Sequence, residues 1–147
     1  MRLRTVFYAI VLLSLATILN SCGVSKEVKW AQPLIDTVWE LESISGFTLE
    51  QDLRKTPTIA FEKDNRYGGF AGCNTYFGEY EIIGANKITF KEGGMTMMAC
   101  QPGMKTENKF IEMLREVDGF KVAGYRMELL KGDIPVAYFT ISENIQD

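Results

Sequence analysis

The chain has 147 residues, of which 46% are hydrophobic, with 16 basic and 19 acidic side chains and no histidine. That length makes one domain with a core of its own. An acidic balance without a basic cluster argues against nucleic acid as a partner and against charge-driven adhesion to anionic lipid. Without histidine, the commonest general base, the commonest metal ligand and every Ser-His or Cys-His nucleophile pair are excluded within the chain, and only carboxylate, lysine and tyrosine chemistry stay formally open.

At the N-terminus, Arg2 and Arg4 precede an apolar run from Val6 to Leu19, followed by Asn20-Ser21-Cys22-Gly23. A charged start, an apolar stretch of about 7 to 15 residues and a small residue before the cut describe a secretory signal. Leu19, Ser21 and Cys22 resemble a bacterial lipobox, with Asn20 a departure from the usual small or apolar residue. The competing reading is an uncleaved span, since Thr5 to Ser25 carries no charge, but the last third of that window is polar and small. The expectation is a signal peptide over 1–21, a lipidated tether over 22–33 and a folded domain over 34–147. Acyl chains on Cys22 would then hold the protein on a membrane. Gly23 after the cysteine resembles lipoproteins sent to an outer membrane, which implies a bacterial cell envelope location facing the periplasm. From Cys22 onward, 126 residues carry 14 basic and 19 acidic side chains, net −5, so membrane contact rests on the anchor.

Taken in chain order, the folded part opens with Val38 to Ile44, where Trp39 and Leu41 alternate with polar residues. Thr58 to Phe61 alternates in the same way between Pro57 and the turn residues Asp64 and Asn65. Further strands are predicted at Tyr67 to Ala71, Phe77 to Ile83 and Lys87 to Lys91, then at Phe120 to Ala123, Tyr125 to Leu130 and Val136 to Ser142. Gly84-Ala85-Asn86 and Lys131-Gly132-Asp133 supply hairpin turns. One segment breaks the period: over Met104 to Asp118, Phe110, Met113, Leu114 and Val117 fall at helical spacing, with Thr106 as a cap and Gly119 after the end. Lys105, Glu107, Lys109, Glu112 and Arg115 read as its solvated face. The order implies an α+β fold, a strongly curved antiparallel sheet, up to a partly open barrel, packed on one helix around 104–118.

With Cys22 assigned to lipid, Cys73 and Cys100 meet an oxidising compartment as a pair with no odd thiol left over. A 73-to-100 bond would close a loop of about 28 residues, worth roughly 3.5 kcal/mol in the chain-entropy model. A reduced buried pair and a cycling thiol-redox pair are the alternatives. Around the first cysteine, Gly68, Gly69, Gly72 and Gly78 permit tight bends or close backbone approach, and Asn74 can hydrogen-bond its own backbone in such a bend. A phosphate cradle is the rival reading, yet neither GxGxxG nor GxxxxGK[ST] is present.

Two stretches carry a resemblance: Gly69-Phe70-Ala71-Gly72-Cys73-Asn74-Thr75-Tyr76-Phe77-Gly78-Glu79-Tyr80, and Thr96-Met97-Met98-Ala99-Cys100 with Glu107 and Phe110 downstream. In this order they resemble the META domain family (HslJ-like), over about residues 36 to 141. The resemblance implies an α+β envelope domain, often on a lipoprotein, associated with stress tolerance and without catalytic residues to transfer. Its signature residues correspond to Gly72, Cys73, Asn74, Gly78, Tyr80, Thr96, Met98 and Cys100, read as structural.

Three other groupings carry weaker chemistry. Met95, Met97, Met98 and Met104 surround Cys100, and thioethers with a thiolate are soft ligands suited to Cu(I), though methionine also fills irregular core gaps. Tyr67, Phe70, Tyr76, Phe77 and Tyr80 are core or line a pocket. Glu79 and Glu81 share a strand face that solvation explains. The reading is therefore a non-catalytic binding or scaffold module with no cofactor and no metal site, held to the membrane through Cys22 and partnered by an envelope protein. Its rivals are a carrier of a small apolar ligand in a half-barrel pocket and a thiol-redox protein using Cys73 and Cys100.

Overall fold

In the strand Thr75–Ile83, every second residue from Tyr76 to Tyr80 is buried and its neighbours are exposed, the signature of one face on a core and one in water. The computed structural model describes residues 34–142, so the segment from residue 1 to 33, with Cys22 and the tether, lies outside it. Eight strands follow in chain order: β1 (Val38–Ile44), β2 (Thr58–Phe61), β3 (Arg66–Phe70), β4 (Thr75–Ile83) and β5 (Lys87–Met95), then, after the helix α1 (Met104–Glu116), β6 (Gly119–Ala123), β7 (Arg126–Lys131) and β8 (Ile134–Ile141).

Each strand pairs antiparallel with the next, and β8 returns to β1 through Trp39↔Ile141, Leu41↔Phe139 and Ile44↔Ala137. The sheet is thus a closed barrel in meander order, a correction to the partly open form expected from the sequence. Closure removes both sheet edges, and a one-residue shift between Leu41 and Ser43 supplies local bend and twist. The tightest part of the circuit is β4 with β5, paired from Tyr76↔Met95 to Ile83↔Lys87. Its weakest seam is β5 with β6, joined only at Lys87↔Gly119.

Beyond that pair, Ile111, Leu114 and Arg115 of the helix share a cleft with Phe90, Lys91 and Met95 of β5. Phe110, Met113 and Leu114 are buried, and the Phe110 ring lies 5.5 Å from that of Tyr76 and 6.2 Å from that of Phe139, so α1 packs its apolar stripe on barrel side chains. Trp39, Ile59, Phe61, Met127, Leu129 and Phe139 fill the interior, as expected for eight strands, whose lumen is just wide enough for side chains. The apolar pocket expected inside a half-barrel is therefore occupied by core.

The predicted elements sit within a residue or two of the observed ones, except that β5 runs on to Met95 instead of ending at Lys91. Gly93 and Gly94 hid this extension, because glycine carries no strand propensity; a Cβ at Gly93 would lie 1.8 Å from the Phe77 carbonyl oxygen, so the two strands approach too closely there for any side chain. Among the described residues no helix is long and apolar enough to cross a membrane.

Candidate functional site

Six of the eight signature residues converge where the β3–β4 turn meets the N-terminus of α1. Ala71 N–H donates to the Asn74 carbonyl at 2.9 Å, folding Gly72 and Cys73 into a tight turn. Gly72 sits at φ 129°, and Gly103, opposite it at the helix start, at φ 131°. A Cβ on Gly103 would come within 2.5 Å of the Gly72 carbonyl oxygen, so both positions need glycine for conformation and for contact.

Into this turn α1 sends Glu107. Its carboxylate accepts from the backbone N–H of Asn74 at 2.6 Å and of Cys73 at 3.3 Å, and from Asn74 Nδ2 at 2.9 Å. Glu107 is only 3% exposed, which corrects its assignment to a solvated helix face. The glycine-rich turn does cradle an anion, but the anion is the protein's own carboxylate. A signal for this was present: Glu107 lies three residues before Phe110 and seven before Leu114, on the buried stripe itself, where a charge requires a partner.

Asn74 uses both ends of its amide. Oδ1 accepts from Thr96 Oγ1 at 2.8 Å and from Met98 N–H at 2.7 Å, while Nδ2 also donates to the Met98 carbonyl at 3.0 Å. Met98 therefore contributes through its backbone, and its side chain is 48% exposed. The Cys73–Cys100 disulfide, with Cα atoms 5.6 Å apart, fastens the same turn to the segment leading into α1. Cys73 is fully buried, so the bonded state leaves no thiolate at this point. Among the described residues every buried side-chain nitrogen and oxygen has a hydrogen-bond partner.

Two signature residues stand apart from this clasp and serve the barrel wall. A Cβ on Gly78 would lie 2.6 Å from the Tyr67 ring. Tyr80 packs edge-on to Phe61 at 5.2 Å and donates its hydroxyl to the Glu62 carbonyl at 2.9 Å. Burial holds the Tyr76 hydroxyl well above the ordinary phenol value of 10.0. It donates to the Thr58 carbonyl at 2.8 Å and stays protonated at neutral pH.

The helix start is capped from elsewhere. Thr106 makes no cap of its own; its N–H donates to Glu50 Oε2 at 2.8 Å, and its hydroxyl accepts from Glu50 N–H at 3.1 Å. Glu50 lies outside any strand in the β1–β2 connection, so no local pattern announced it. The bond from Thr106 N–H, the largest influence, holds the Glu50 carboxyl below its usual value of 4.5 although burial pulls the other way.

The remaining candidates are not brought into a reactive arrangement. Glu79 and Glu81 are exposed, and Glu81 lies 3.5 Å from Lys91 Nζ. Met97 is 96% exposed, and the Cys100 sulfur is bonded to Cys73, so the methionines do not surround a thiolate. Among the described residues no group of three or more Cys, Asp or Glu side chains could hold a metal ion.

The META domain family model matches residues 32–143. Among solved structures, the NMR structure of a protein from Burkholderia xenovorans shares 25% identity across 75% of this chain and 84% of that one, with a TM-score of 0.61. A second protein solved by NMR shares 24% identity across 77% and 95% of the two chains, with a TM-score of 0.58. The crystal structure of a duf4847 family protein from Bacteroides vulgatus ATCC 8482, at 16% identity, 78% and 96% coverage and a TM-score of 0.51, shares the fold. No curated protein matches the sequence. With the family model spanning all eight strands and the helix that clasps them, the chain belongs to the META domain family.

Proposed function

We propose that this chain is a non-catalytic binding module of the bacterial cell envelope, anchored by acyl groups on Cys22 at the outer membrane and facing the periplasm, where it supports stress tolerance. The observation that carries the reading is a division of labour at the surface. The signature polar groups are spent on a closed, buried network, while an apolar face lies exposed beside it: Phe77 at 66%, Met95 at 39%, Met97 at 96% and Met98 at 48%. Such clustering marks an interaction surface, and methionine adapts readily to a partner.

The test is photocrosslinking in intact cells, with a crosslinking side chain at Phe77 or Met97 and a control at the exposed Lys121. A reproducible protein adduct from the first two positions alone is expected; equal yield at Lys121, or none anywhere, overturns the reading. Anchoring is tested separately by a palmitate analogue, whose label should vanish in Cys22→Ala.

One observation favours a small-ligand carrier as a second reading. A cleft of about 200 Å³ opens where α1 meets β3–β5. Ligand co-purifying with the full chain in native mass spectrometry would support it.

A further inference from the structure

We propose that the cleft beside α1 binds a small amphipathic carboxylate, a single ring or short acyl chain ending in an acid, with its head between Lys91 and Arg115. The inference deepens the carrier reading and rests on it.

The apolar end of the site is built from Tyr67, Tyr76, Phe90 and Leu114. The Tyr67 ring lies 4.8 Å from Phe90 and 5.9 Å from Tyr76, an aromatic corner already packed and held in place from behind by the core. Room is left here beside the stretch of β5 that, past Lys87, has a strand partner on the β4 side alone, where Leu114 and Arg115 of α1 face the cleft with Phe90 and Lys91. A cavity on the order of 150 Å³ lined by apolar residues holds benzene. At about 200 Å³ this cleft has room for one ring with a short arm.

Charge selects the head group. Lys91 and Arg115 are the charged residues lining the cleft. On α1 the neighbouring acids lie beside lysines, Glu112 3.3 Å from Lys109 and Glu116 3.1 Å from Lys131, whereas Arg115 has no ion pair among the described residues. Lys91 faces Glu81 at 3.5 Å, but both side chains are more than half exposed, so that pair is weak and exchangeable. A guanidinium is suited to bidentate capture of a carboxylate. The Tyr67 hydroxyl, bonded to the Lys91 carbonyl at 3.3 Å, sets the boundary between the aromatic floor and the charged rim.

The methionines supply a built-in readout, since Met95 lines the cleft, Met97 stands in solvent and Met127 is core. The full chain, methyl-labelled at methionine and held in lipid nanodiscs, is titrated with 3-phenylpropionate and with its neutral twin 3-phenylpropan-1-ol. Saturable movement of the Met95 methyl signal with the acid, with Met97 and Met127 still, is expected. The alcohol should bind at least tenfold more weakly, and the Lys91→Ala/Arg115→Ala double variant should lose at least tenfold for the acid only. Equal binding of acid and alcohol overturns the head-group assignment while leaving an apolar carrier standing. No movement of Met95 with either compound removes the ligand and the carrier reading together, and leaves the crosslinking result at Phe77 and Met97 unaffected.

Discussion

The two ends of α1 face opposite requirements. At its N-terminus, Glu107 and Asn74 join three segments through six hydrogen bonds, and among the described residues no buried side-chain polar atom is left without a partner. Towards its C-terminus, Leu114 and Arg115 look across a gap at β5. One end is closed by polar groups whose desolvation must be repaid in full; the other leaves a cleft beside the stretch of β5 that has no β6 partner. Six of the eight signature residues lie at the closed end, which teaches that motif strength in this chain marks where the fold is fastened and not where a ligand sits.

The comparison can be broken most forcefully at Glu107. Glu107→Ala orphans two buried backbone N–H groups and one amide N–H, and should cost about 3–5 kcal/mol, read as a shift of the urea midpoint. A loss below about 1 kcal/mol would show that the clasp is not the fastening point. Replacing both Cys73 and Cys100 by alanine reopens the loop across the same turn and should cost about 3.5 kcal/mol. Gly78→Ala forces a methyl against the Tyr67 ring on the barrel wall, with an expected loss of about 1–3 kcal/mol by overpacking.

A smaller effect reports on the helix cap through pH. The Glu50 carboxyl is depressed in the folded chain, so its support of α1 is complete above its usual value of 4.5 and fades as the pH falls through the lower folded value. Glu50→Gln should flatten the acid limb of helical ellipticity below pH 4.5 and leave neutral pH little changed. Arg115→Ala at the open end, where Arg115 has no ion pair among the described residues, should move stability by no more than about 0.5 kcal/mol, and so should Met98→Ala at the clasp, because Met98 contributes there by its backbone. A large loss at Arg115 would erase the contrast between the two ends.

Much of this was legible locally. Alternation located β1 and β2 at their observed bounds, and the spacing of Phe110, Met113 and Leu114 located α1. By residue type alone, Glu107 suits a solvated helix face. Its position on the apolar stripe was the better guide. Glu50 could not be found, since it caps a helix 56 residues away. Closure of the barrel was equally silent, because β1 and β8 meet across nearly a hundred residues of chain and no local pattern encodes that register.

By itself the sequence determined the periodic elements, the turn glycines, the absence of imidazole chemistry and the expectation of a lipid-linked cysteine, all of which depend on residue type and near neighbours. Only the tertiary structure decided that the sheet closes, that Glu107 fills the glycine-rich turn, and that the gap lies beside α1 and not inside the barrel. These are outcomes of long-range packing, in which a carboxylate finds its donors only once the whole circuit of strands is in place.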